Sequence, residues 1–202
     1  MTDEELMRAV CNGEQFAYQT IVKQHLKSIS HYAFRILGNQ KDTEDITQET
    51  FLKLWINAEK WQPEKAKLST WLHRIAHNLC IDYIRKHGSI QTLENIEEGT
   101  DSIESPRDWQ DSYEVSETRT QQDRLLKNAI NNLPENQRSA LVLCHYSGFS
   151  QKEAASIMDI SVKALESVIT RAKRSLRKQL GDTATTTATR QPRHRVKCKR
   201  YE

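Results

Sequence analysis

His73, His77 and Cys80 stand at positions i, i+4 and i+7, one face of any helix that carries them, and imidazole and thiolate at that spacing can hold zinc. A fourth ligand is not evident, so core packing and contact with DNA stand beside the metal reading, and no cofactor is expected. A second chemistry is phosphate neutralisation. Between Ser161 and Gly181, Lys163, Arg171, Lys173, Arg174, Arg177 and Lys178 face a single acid, Glu166, for a local charge of +5 within a chain of net charge +3. What matters for nucleic acid is this concentration, not the total. A third is an acidic and amide-bearing face, Asp45, Gln48 and Glu49, of the kind that partners a basic protein surface. Glycine-rich phosphate loops, H-E-x-x-H and a nucleophile with partners do not occur, so no enzyme is expected. The four cysteines, Cys11, Cys80, Cys144 and Cys198, form no CxxC pair, which argues against both a disulfide framework and a zinc ribbon.

The elements that must position these groups are helical. Six glycines and four prolines punctuate 202 residues, and apolar side chains recur at three- and four-residue spacings, predicting an all-α chain. A first stripe, Phe16, Ile21, Val22, Leu26, Ile29, Tyr32, Ala33, Ile36 and Leu37, predicts a helix over 14–37 closed by Gly38. A second helix opens at "DTED" with Asp42 as its cap; Ile46, Thr50, Phe51, Leu54, Trp55 and Ala58 face inward and Asp45, Gln48, Glu49 and Lys53 face away. "EKWQPEKAK" (59–67) breaks the pattern, and a further helix resumes with Ser69 as its cap.

These helices predict a first small domain over 1–88. Residues 89–118 hold nine acids against Arg107, the composition of a flexible, strongly negative linker. A second small domain is expected over 119–181, and a disordered basic tail over 182–202. No run approaches the roughly 20 apolar residues that span a bilayer, and "MTDEELMRAV" has no signal-peptide pattern, so a cytoplasmic protein without membrane insertion is expected.

The second domain closes on a helix-turn-helix pattern. Ser150 and Glu153 make a capping box, Ala154, Ala155, Ile157 and Met158 point inward, and Asp159 takes the turn. Ser161 caps a last helix with Leu165, Val168, Ile169, Ala172 and Leu176 as its buried side. Exposed residues at the start of that helix would meet base edges in a major groove and the later cations would meet phosphates. A solvated helix in an ordinary bundle is the alternative.

"DTEDITQETFLKLW" (42–55), "STWLHRIAHNLCIDYIRK" (69–86), the acidic linker and "NLPENQRSALVLCHYSGFSQKEAASIMDISVKALESVITRAKRSL" (132–176), in this order, resemble the extracytoplasmic-function (ECF) sigma factors of bacterial RNA polymerase. The resemblance implies that the first domain binds the beta-prime clamp helices and the minus-10 element, and that the second binds the minus-35 element and the beta flap. Asp45, Gln48 and Glu49 match the D-x-x-Q-E of the clamp-binding helix. Asn78 matches the pocket for a flipped minus-10 base, a role suited to an amide that both donates and accepts. Trp61 either stacks on a base or caps the core; Trp71, Arg74, Arg85 and Lys86 border the opened strand, the two arginines and the lysine following phosphates. Trp71 is followed by Leu72 where primary sigma factors have a second Trp, implying a stricter promoter.

Lys163, Glu166, Ser167, Thr170 and Arg171 match the minus-35 reading positions, with Lys173 and Arg174 beside them. Glu166 departs from the basic residue common there, and a carboxylate prefers the cytosine amino group. The resemblance further implies a cognate anti-sigma factor as partner. A free-standing helix-turn-helix regulator and a pure interaction protein are the competing classes, and binding to core polymerase separates them.

Overall fold

The computed structural model describes residues 1–94 and 125–188, with side chains through 87 and 181 respectively. All regular structure among the described residues is helical. The expected negative linker from 95 to 118 and the basic tail beyond 188 lie outside the described residues.

The chain is helical well before residue 14. Helix α1 (Asp3–Cys11) is opened by a capping box between Thr2 and Glu5, with three acids in its first turn to complement the helix dipole, and it buries Leu6, Met7, Ala9 and Val10. Helix α2 (Gln15–Leu37) ends at Gly38, which takes the left-handed φ of 74° that favours glycine. Ala17, Ile21, Ile29, Tyr32, Ala33 and Ile36 are its buried residues. Phe16 is 74% exposed and Leu26 45%, against the expected stripe. At about 100° per residue Phe16 sits about 140° around the helix from Ile29, so the core cannot reach it.

Helix α3 (Gln40–Ile56) is capped by Asn39, whose carboxamide oxygen accepts from the Asp42 amide; Asp42 is the third residue of the helix, not its cap. The cause is Gly38, whose turn leaves Asn39 extended and aimed at the free amides. Trp55, expected inside, is 39% exposed and meets Tyr18 edge-on at 5.1 Å. After a 3₁₀ turn (Ala58–Lys60), helix α4 runs from Leu68 to Glu94, so Ser69 lies within its first turn and does not cap it. Helix α4 continues through residues assigned by composition to the linker.

In the second half, α5 covers 125–131, and Pro134 stands just ahead of α6 (Glu135–Leu141), which widens into one π-helical turn over Val142–Tyr146. Gly148 follows with φ 71°. Helices α7 (Gln151–Ile157) and α8 (Val162–Ala188) flank a turn at Asp159, whose φ of 55° is the one positive value on a non-glycine residue among those described. Asp is among the few non-glycine residues that visit that conformation routinely. The Ser150–Glu153 capping box and the Ser161 cap on Ala164 form as the sequence predicts. Helix α8 passes Gly181 and takes in the first residues of the Thr/Ala run.

Both halves meet in one apolar cluster. Ile36, Tyr32, Leu72 and Ala76 from the first half join Ala140, Leu143, Ala154, Ile157 and Leu165 from the second, with α4 against α7 and α2 against α6. Arg138 pins this seam by donating to the Ile36 carbonyl at the end of α2 (2.7 Å) and to the Leu133 carbonyl (3.2 Å). A further cluster, Leu133, Leu141 and Ala172, belongs to the second half alone. None of the described helices is long and apolar enough to cross a membrane.

Candidate nucleic-acid interface

Helix α8 presents two chemically distinct sides. Leu165, Ile169 and Ala172 are buried and Val168 half-buried, locking the helix onto α7 and α6. Lys163, Glu166, Ser167, Thr170, Arg171, Lys173 and Arg174 are all exposed. The Ser167 hydroxyl donates to the Lys163 carbonyl (3.1 Å), that of Thr170 to the Glu166 carbonyl (2.9 Å), and Arg171 Nε to the Ser167 carbonyl (3.3 Å). These exposed side chains therefore spend their donors on their own backbone, and each is free to exchange that bond for a base edge or phosphate by a change of rotamer.

In the first half, Asp45, Gln48 and Glu49 lie exposed along α3, with Glu49 3.4 Å from Lys53. On α4, Arg74, Asn78, Arg85 and Lys86 are exposed and Trp71 is half-buried. The spacings 74, 78 and 85 return to one side of a helix, so these three groups form a stripe. Trp61 is buried, and its indole N–H donates to the Ala66 carbonyl at 3.1 Å, closing the 61–66 loop over the core. This burial and this bond are what a core cap requires.

The possible ligands His73, His77 and Cys80 are turned inward and buried. His73 Nδ1 bonds the Ser69 carbonyl at 2.8 Å, and His77 Nδ1 meets the Tyr32 hydroxyl at 2.8 Å. Burial pushes both imidazoles down to about 4 and the Cys80 thiol up to about 12, so all three are uncharged near neutrality. Among the described residues no three His, Cys, Asp or Glu side chains gather as a metal site. The i, i+4, i+7 spacing here marks the buried face of α4, and the Ser69 carbonyl and the Tyr32 hydroxyl supply its polar contacts.

Pairings that the sequence reading did not foresee fasten the halves together. Lys67 Nζ is 2.9 Å from Glu153, Arg74 Nη2 is 3.0 Å from Asp159, and Arg85 Nε is 4.0 Å from Glu135. Ser150, then Lys67, hold the Glu153 carboxyl down to about 2. The His73 and Phe149 rings meet edge-on at 4.7 Å, and the Arg35 guanidinium lies 4.0 Å over Tyr146. No local pattern announces these contacts.

Comparison with known proteins matches both halves. The family described as Sigma-70 region 2 covers residues 21–90, and that described as Sigma-70, region 4 covers 123–176. The ECF RNA polymerase sigma factor SigE of Mycolicibacterium smegmatis is 33% identical over 194 residues, 93% of this chain and 72% of that protein. The ECF RNA polymerase sigma factor SigW of Bacillus subtilis is 33% identical over 192 residues, 90% of this chain and 98% of that protein. Among solved structures, the sigma factor RpoE in complex with the anti-sigma factor NepR from Bartonella quintana aligns with a TM-score of 0.63 at 23% identity, over 81% of this chain and 96% of that one. CnrH in complex with the cytosolic domain of CnrY aligns with a TM-score of 0.62 at 24% identity, over 89% and 97%. The two structures share the fold.

Proposed function

The chain belongs to the ECF RNA polymerase sigma factors, and from that premise we propose that its two halves divide promoter recognition between them. Residues 1–88 bind the beta-prime clamp helices of core RNA polymerase and the minus-10 element; residues 119–181 bind the minus-35 element and the beta flap. The acidic stretch from 89 to 118 connects them. Synthesis of RNA stays with the polymerase, so this chain is an initiation factor and not a catalyst, and its place is the cytoplasm.

The observation that carries this reading is the outward face of α8, where seven residues of the types that read bases and phosphates are exposed on a capped helix-turn-helix. With α8 in a major groove, Lys163, Glu166, Ser167, Thr170 and Arg171 meet base edges, and Lys173 and Arg174 meet phosphates. Glu166 accepts a hydrogen bond from a cytosine amino group, which sets this chain's minus-35 element apart from those read by a basic residue.

On α4, Asn78 takes the edge of an unstacked minus-10 base, and Arg74, Arg85 and Lys86 follow the strand. Trp71, half-buried beside them, lines the same edge. Trp61 contributes by holding the 61–66 loop in shape, its indole being committed to Ala66. Asp45, Gln48 and Glu49 face the basic clamp helices. A cognate anti-sigma factor belongs to the proposal as well: the solved RpoE of like fold was captured with one.

Run-off transcription with purified core polymerase, with and without this chain, on a pool of host promoter fragments tests the proposal. Specific transcripts appearing only when the chain is added are expected. No transcripts, together with no binding to core polymerase, would leave a DNA-binding regulator instead.

A further inference from the structure

Helix α8 opens with an apolar side chain that its own core does not use. The Ser161 hydroxyl accepts from the Ala164 amide at 3.2 Å and so caps the helix, which makes Val162 its first residue. A hydrophobic staple at such an entry joins the residue before the cap to the fourth residue of the helix. Those positions are held by Ile160, half-buried against the core, and Leu165, fully buried. Ile169 and Ala172 continue the inward face. Val162 belongs to neither set and is 39% exposed. Among the described residues of α8 the other large apolar side chain as open as this is Leu180, roughly 27 Å further along the axis.

The neighbours of Val162 are the residues assigned to the promoter. Lys163 follows it and Glu166 and Ser167 lie one turn on, all three exposed. At about 100° per residue Val162 and Glu166 fall within about 40° of each other around the helix and about 6 Å apart along it. A base pair advances a duplex by ~3.4 Å, so two such side chains reach bases no more than about two base pairs apart. Lys163, Glu166 and Ser167 can each hydrogen-bond a base edge; the two methyls of Val162 can bond none. The major groove offers one apolar group to meet them, the C5-methyl of thymine. A valine in a helix keeps almost a single χ1 rotamer, so these methyls are aimed before DNA arrives and lose little freedom on contact. Their base is pinned as well, the Ile160 amide donating to the Ala155 carbonyl (3.0 Å) and the Leu165 amide to the Ser161 carbonyl (3.0 Å).

We propose that Val162 reads the C5-methyl of a thymine in the minus-35 element, within about two base pairs of the position that Glu166 contacts. This deepens the assignment of α8 to that element and rests on it. The side chain and the methyl both lose water when the helix seats, so the contact favours thymine over the same base without its methyl by roughly three- to fivefold in affinity. Val162 and Glu166 divide the work by chemistry: the carboxylate takes an amino donor and the branched alkyl group takes a methyl. A row of cations alone distinguishes neither.

Deoxyuridine tests the contact, because uracil in place of thymine removes the methyl and keeps the hydrogen bonds of the base pair. Holoenzyme assembled from core polymerase and the full chain is titrated with promoter duplexes from the run-off pool in which each minus-35 thymine is replaced in turn. Wild type is compared with Val162→Ala, an exposed change to a better helix former that leaves the fold intact. At one thymine the wild type should lose about three- to fivefold on uracil and Val162→Ala less than about twofold; at the others the two proteins should respond alike. Glu166→Ala, tested against base changes across the same element, locates the neighbouring position. Equal losses by both proteins at every thymine overturn the proposal, as does a coupled thymine more than about two base pairs from every position at which Glu166→Ala alters preference. The two failures are distinguishable. A position-specific effect of Glu166→Ala without any coupling at Val162 overturns this contact and leaves α8 on the minus-35 element, whereas no position-specific effect from either variant overturns the assignment of α8 as well.

Discussion

The two halves keep themselves folded in different ways. The first is built on helices of 23, 17 and 27 residues and buries polar groups among its apolar ones: Thr43, Thr47, Thr50, Thr70, His73 and His77. Several of these are paired, as in Thr50 with the Ile46 carbonyl (2.7 Å) and Tyr32 with His77 (2.8 Å). In the second half α6 and α7 have seven residues each, too few to be stable alone, and its interior leans on alanine at 129, 140, 154, 155 and 172. Small side chains let helices approach closely but bury little area, so this half draws part of its core from the first. A DNA-reading module can thus be compact and shallow when a larger neighbour supplies the apolar surface.

Truncating the core on each side is the strongest way to break this comparison. Leu72→Ala and Leu165→Ala each remove a fully buried side chain and should cost about 2–5 kcal/mol. If the second half depends on the first, Leu72→Ala lowers hydrogen-exchange protection in α7 and α8 as well as in α2, whereas Leu165→Ala spares α2. Protection lost in one half only for both variants would make the halves independent.

Acid sharpens the contrast. His73 and His77 titrate near 4 when folded against 6.5 when unfolded, so between those values the unfolded chain binds more protons and stability falls as the pH is lowered. The loss should reach about 3 kcal/mol per histidine by pH 4 and be absent above pH 7. Urea midpoints across this window read it, and His73→Leu should remove about half the slope. An unchanged slope would mean these imidazoles are not held neutral.

Smaller effects follow from single polar groups. Tyr32→Phe leaves His77 Nδ1 unpaired in the core and should cost about 1–3 kcal/mol. Arg171→Ala should weaken promoter binding by about 1–3 kcal/mol with polymerase affinity unchanged, and Gln48→Ala should weaken polymerase binding with helicity and thermal midpoint unchanged. Full promoter-specific transcription by both would sink the residue mapping. At the low end, Asp159→Gly relieves the positive φ and should move stability by less than about 1 kcal/mol.

Much of the second half was legible because local chemistry specifies it. The Ser150–Glu153 box, the turn at Asp159, the Ser161 cap and the stop at Gly148 each involve residues within a few positions of one another. In the first half the reading missed by small margins: Asn39 outcompetes Asp42 as cap because Gly38 aims it, and α1, whose Thr2–Glu5 box was there to be read, went unnoticed. Trp61 and the buried histidines were ambiguous because the same spacing serves a core face and a ligand face. Contacts between the halves left no trace in any local pattern, since they join residues separated by 86 and 85 positions.

The single span of α8 has a mechanical meaning. Its 27 residues make a rod of roughly 40 Å at ~1.5 Å per residue, with the proposed base-reading positions at one end. Such a rod carries torque. Anything that grips the end near Ala188 turns the residues around Lys163 with it, a handle three to four nanometres from the proposed base contacts.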